Sequence, residues 1–80
     1  MMIVYQDEDW RGQHSRYTLT VHFDGKKYTA IAKVYRKRKD DALDCVYHKS
    51  WECEHKDDLK LQDYDGLRLP KRFINSDFFE

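Results

Sequence analysis

The chain has 80 residues, 40% hydrophobic, 15% aromatic and 38% charged, with a formal net charge of zero at pH 7. That length allows one domain, 1–80, near the size at which a single core only just suffices, and the aromatic content favours folding over disorder. The charge balance argues against general attraction to nucleic acid or to an anionic membrane, and no apolar run is long enough for a transmembrane helix.

The charge is unevenly spread. Residues 1–39 carry nine basic and four acidic side chains (+5), and residues 40–80 carry six basic and eleven acidic ones (−5). Such an asymmetry either makes a dipolar surface or is neutralised when the halves meet in the fold. The start, Met1-Met2-Ile3-Val4-Tyr5, lacks the basic residues and the length of a signal peptide. Cys45 and Cys53 are too few for a disulfide framework. Both features point to a cytoplasmic protein with two free thiols.

Met2 to Tyr5 reads as a short strand that Asp7-Glu8-Asp9 ends. Trp10 to Ser15 reads as a loop bending at Gly12, in which Trp10 is either a plug for the core or an exposed anchor for a partner; the usual burial of Trp favours the plug. Arg16 to Arg36 then forms the organising β-hairpin. A two-residue turn at Gly25-Lys26, with Gly suited to type II′ and Asp24 facing Lys27, pairs Phe23 with Tyr28, Val21 with Ala30, Leu19 with Ala32 and Tyr17 with Val34. Every pair on that face is apolar. The opposite face pairs Arg16 with Tyr35, Thr18 with Lys33, Thr20 with Ile31 and His22 with Thr29, and a slip of one residue would mix the faces. The small Ala30 and Ala32 leave room that bulky groups from elsewhere must fill.

Asp40-Asp41 follows four basic residues, a reversal expected at a turn. Residues 42–55 fit both periods: Leu43, Cys45, Tyr47, Trp51 and Cys53 alternate as on a strand, while Leu43, Tyr47 and Trp51 also fall four apart as on a helix. Cys, Val, Tyr, Ser and Trp favour the strand. Leu59 and Leu61, a turn at Asp63-Tyr64-Asp65-Gly66, and Leu67 and Leu69 resemble a second small hairpin. Phe73 and Ile74 are expected to return to the core, in an irregular or helical turn after Pro70. The whole predicts a mainly β fold, a small antiparallel sheet or partly open barrel built on the 16–36 hairpin; the alternative is α+β with a helix at about 41–56.

Cys45, His48, Cys53 and His55 have the inventory of a zinc site, but no Gly-containing knuckle accompanies them and a regular strand would put Cys45 and His48 on opposite faces. Two thiols and two surface imidazoles are the simpler reading. Asp44 with Glu54-His55-Lys56 matches the loose acid, acid-x-Lys pattern of metal-dependent nucleases, a pattern that charged sequences produce by chance. His14-Ser15 and His48-Lys49-Ser50 form no nucleophile arrangement, because adjacent strand residues point apart. The sequence reads as that of a protein without catalytic function or cofactor.

Two binding readings remain. A nucleic-acid-binding β domain would use the basic second strand, with Lys33, Arg36, Lys37, Arg38 and Lys39 as phosphate contacts. A protein-binding module would use the half-apolar outer face, with Arg16, His22, Ile31, Lys33 and Tyr35 as partner-binding residues and Phe78-Phe79 as a second anchor unless they dock on the chain's own core. The protein-binding reading is preferred, since eleven acidic groups follow the basic stretch. In general character this short, aromatic-rich, Asp- and Lys-rich chain resembles the small proteins by which phages and mobile elements bind and inhibit a host protein. That likeness is one of composition.

Overall fold

The computed structural model of the chain describes residues 2–61 and 68–80. Four strands, β1 (Met2–Arg11), β2 (Ser15–Phe23), β3 (Tyr28–Lys37) and β4 (Leu43–Cys53), form one antiparallel sheet in the order β1-β2-β3-β4. With β1 and β4 at its two edges the sheet is open, and the barrel is not formed. The stretch 42–55 is accordingly strand, and the alternative helix at 41–56 is not adopted.

The central hairpin has the register that its apolar pattern demands: Tyr17 lies opposite Val34, Leu19 opposite Ala32, Val21 opposite Ala30 and Phe23 opposite Tyr28. Gly25 at its turn has a φ of 97°, which an L side chain rarely adopts. Asp24 faces Lys27 across the turn, and the Lys27 charge is the smaller part of what it gains there. Its Oδ1 accepts from the backbone N–H groups of Lys26 and Lys27 at 2.8 and 2.7 Å, tying down the turn and pulling the Asp24 carboxyl below its ordinary value.

Leu19, Val21, Ala30, Ala32 and Trp51 supply the buried face of the sheet, and Leu59, Leu69 and Phe73 cover it. Leu69 and Phe73 come from helix α1 (Arg68–Ile74), and Leu59 from the 3₁₀ segment Lys56–Leu61. These two elements replace the predicted second hairpin, whose turn at 63–66 and Leu67 lie outside the described residues. The alternation of Leu59 with Leu61 suits a strand, but Leu59 is fully buried in the core cluster with Trp51 from a 3₁₀ segment that needs no strand partner. Pro70 lies in the first turn of α1, where its missing N–H breaks no helical bond. Phe73, fully buried, fills the space above the two small alanines together with the leucines.

Phe73 is also the hub of an aromatic group. Its ring centroid lies 4.7 Å from Tyr5, 5.2 Å from Phe78 and 4.8 Å from Phe79. The last two belong to a single 3₁₀ turn, Asp77–Phe79, capped by the Ser76 hydroxyl. Burial pushes the Tyr5 phenol above its ordinary 10.0, and the Asp7 carboxylate beside it adds to the rise.

The first strand departs most from expectation. Asp7-Glu8-Asp9 does not end it; β1 continues to Arg11, and only Gly12, Gln13 and His14 connect it to β2. Pairing explains how three acids stay in a strand. Arg72 of α1 bonds Asp7 at 3.0 Å and lies 3.8 Å from Asp9, while Arg16 of β2 holds Glu8 at 2.6 Å. Asp7 and Asp9 also accept the N–H of the next residue, Glu8 and Trp10, each at 2.9 Å. Arg72 thereby pairs a cation of the acidic half of the sequence with acids of the basic half; the charge asymmetry itself is partly relieved where Lys37 meets Asp41 and Arg38 meets Asp40 and Asp44.

Candidate functional site

An antiparallel sheet can leave one face in water, and here α1 and the 3₁₀ segment cover only one. The other face is built by strand parity. Cross-strand partners line up as Trp10, Arg16, Tyr35 and Cys45; then Glu8, Thr18, Lys33 and His48; then Gln6, Thr20, Ile31 and Ser50; then Ile3, His22, Thr29 and Glu52.

Five of the predicted partner-binding residues, Arg16, His22, Ile31, Lys33 and Tyr35, therefore share this face and line one shallow hollow of about 230 Å³ with Gln6, Thr18 and Thr20. A second hollow of about 400 Å³ adjoins it on the β1 side, where Asp7 and Glu8 form the wall. Phe78 and Phe79 are not part of this surface. They pack on the opposite side of the sheet against Phe73, and Phe78 also meets Tyr5 and Tyr28, because a core this small gains from every aromatic side chain.

Arg16 orders the first row. Its Nε and Nη2 donate to the same Oε2 of Glu8 at 2.9 and 2.6 Å, and its guanidinium carbon lies 5.8 Å from the centre of the Tyr35 ring. The carboxylate and the ring hold the guanidinium from two sides, a charge-assisted bond joined to a cation–π contact. Trp10 stands next in the row and is 43% exposed. It is not the core plug: once β1 runs unbroken, Trp10 has the parity of Gln6 and Glu8 and falls opposite Arg16, while Trp51 occupies the core. Continuation of the alternation through Gln6, Glu8 and Trp10 was the available pointer to this residue.

The central row differs. The Lys33 side chain has no ion pair or hydrogen bond among the described residues, and its cross-strand neighbours are Thr18 and His48. The second strand is less free farther along. Lys37 lies 3.4 Å from Asp41, and Arg38 lies 3.4 Å from both Asp40 and Asp44. By register Arg36, opposite Ser15 and Asp44, belongs to the other side of the sheet from Lys33, and Lys39 is an exposed turn residue. The five-residue basic set is thus divided between two faces and a turn, and acids of the β3–β4 connection meet two of its members.

The chemistry-bearing motifs are similarly dispersed. The β3–β4 register shifts between Val34 and Tyr35, so that Tyr35 meets Cys45 and Lys33 meets His48. This irregularity puts Cys45 and His48 on the same face, contrary to the expectation for a regular strand. Cys53 lies on the core side opposite Tyr28, and His55 lies beyond the end of β4. Among the described residues no group of three or more His, Cys, Asp or Glu side chains could hold a metal ion. Asp44 and Glu54 stand at opposite ends of β4, about 30 Å apart at the rise of a strand, so the nuclease-like set does not assemble.

Comparison with family models, curated proteins and solved structures finds no match to this chain. Among the described residues no helix is long and apolar enough to cross a membrane.

Proposed function

We propose that the chain is a small non-catalytic module that lays the bare face of its sheet on another protein, acting as an inhibitor of the surface it covers. The observation that carries this reading is the ordered row Trp10, Arg16 and Tyr35 at one end of a sheet face that the chain's own helices leave open. Trp, Tyr and Arg dominate the energetics of many protein interfaces, and an Arg already held by a carboxylate and a ring loses little freedom on binding. Four strands of nine to eleven residues make a face of about 600 Å², within reach of the ~800 Å² per partner of a standard interface once rim side chains are included. The compositional likeness to inhibitors from phages and mobile elements points the same way. The neutralisation of Lys37 and Arg38 weighs against a nucleic-acid backbone as the partner.

The test is affinity capture from the source cell at moderate salt, run in parallel with wild-type, Tyr35→Ala and Ile31→Ala chains. One protein retained by the wild type and lost from both variants, each still folded by circular dichroism, is the expected result. Equal capture by all three would overturn the contact-face reading. A captured nucleic acid whose retention falls steeply with salt would replace it with the nucleic-acid alternative.

A further inference from the structure

We infer that the hollow between β2 and β3 receives a protruding, carboxylate-bearing segment of the partner protein, with Lys33 and Arg16 as the groups that recognise the acid. This rests on the contact-face reading above and specifies what the face recognises. Shape is the first argument. A hollow of about 230 Å³ at the centre of the face asks for a convex partner, and it is smaller than the ~300–1,000 Å³ of a typical small-molecule pocket, so it suits one or two side chains.

Charge is the second argument. Among the described residues the lining contains Lys33 and Arg16 and no carboxylate. Lys33 is half-buried and unpaired among the described residues, and Thr18 opposite it and Thr20 nearby supply hydroxyl donors. Arg16 spends Nε and Nη2 on Glu8, which leaves Nη1 to donate to an incoming oxygen. An unpaired ammonium beside a half-committed guanidinium is completed by an anion, and each such bond is stronger than a neutral one. The Glu8 carboxylate walls the adjoining hollow and disfavours a second acid there, so the partner's carboxylate is steered to the Lys33 side. Ile31 and the Tyr35 ring offer apolar contact to the residue that flanks it. A nucleic-acid backbone is the poorer fit, because its phosphates recur along the strand whereas the cations of this face are gathered at one place.

Two peptides serve as probes: acetyl-Gly-Glu-Tyr-Glu-Gly-amide and its counterpart with Gln in place of Glu. At millimolar concentration the Glu peptide is expected to move the backbone amide resonances of Thr18, Thr20 and Lys33, and the Gln peptide to leave them in place. Lys33→Gln is expected to weaken the Glu peptide about tenfold, the effect of losing one charge-assisted contact. Lys33→Glu should abolish the shifts, with unchanged dispersion of the other resonances showing that the variant is folded. Equal shifts from both peptides, none from the Glu peptide, or no loss in either Lys33 variant would overturn the inference. So would stronger perturbation of the same amides by a thymidine oligonucleotide. Capture of the cellular protein separates the two proposals: if Tyr35→Ala abolishes it and Lys33→Glu does not, the contact face stands and the acidic segment falls. If neither variant affects capture, both fall.

Discussion

The two faces of the sheet have the same backbone and the same alternation, yet they differ in what holds their side chains. On the covered face Leu19, Val21, Ala30, Ala32 and Trp51 are buried by Leu59, Leu69 and Phe73, which arrive from the last third of the chain. On the bare face Arg16 is held by Glu8 and Tyr35, and Thr18, Thr20 and Ile31 remain half-exposed. Volume and shape decide the first face; pairing of polar groups decides the second. Stability and recognition can therefore be altered separately, because adjacent strand residues report on different faces.

The sharpest break in that comparison is Phe73→Ala, which removes the hub of the aromatic group and opens a cavity that α1 is too short to close. It is expected to lose about 3–5 kcal/mol in urea denaturation, enough to leave a small domain largely unfolded. Leu19→Ala and Thr20→Ala form the direct test across one strand. The first should cost about 2–5 kcal/mol and the second less than about 1 kcal/mol; similar losses would mean that the bare face is packed after all. Gly25→Ala is smaller in effect, about 1 kcal/mol by thermal denaturation, because its φ of 97° strains any L side chain although open space surrounds the Cβ.

The smallest expected effect is on pH dependence. The backbone N–H groups of Lys27 and Lys26 lower the Asp24 carboxyl below its ordinary 3.8, so the folded state binds its proton less readily than the unfolded state. This contribution is fully present above the unfolded value and is lost as pH falls through the lower folded value. Asp24→Ala should consequently flatten the acid limb of the melting-temperature curve and leave its slope near neutrality unchanged.

Much of the covered face was legible because two independent features agreed on it. The Gly25-Lys26 turn and the apolar alternation of Tyr17, Leu19 and Val21 against Ala30, Ala32 and Val34 allow one register, which β2 and β3 adopt. The return of Phe73 follows from a tail too apolar to stay in water, and the space above the two alanines receives it. The second hairpin misled because Leu59-x-Leu61 and Leu67-x-Leu69 carry a period of two over too few residues to exclude other geometries. Leu69 and Phe73, four apart with Pro70 between them, were the better pointer to a helix. Residues on the bare face were found where the hairpin supplied the parity, as for Arg16, His22, Ile31, Lys33 and Tyr35. Trp10 was missed because Asp7-Glu8-Asp9 breaks a strand by propensity, and the arginines that override this come from eight and about sixty-five positions away.

Those same aspartates bear on how the protein behaves when concentrated. The outermost strand of an open sheet normally offers its amides as a template on which another chain can grow, the first step toward fibrils. Here the Glu8 and Trp10 amides are already taken by Asp7 and Asp9, and further chains that approached would bring a like row of carboxylates with them. Growth along that side is thus discouraged by residues whose composition alone marks them only as a loop.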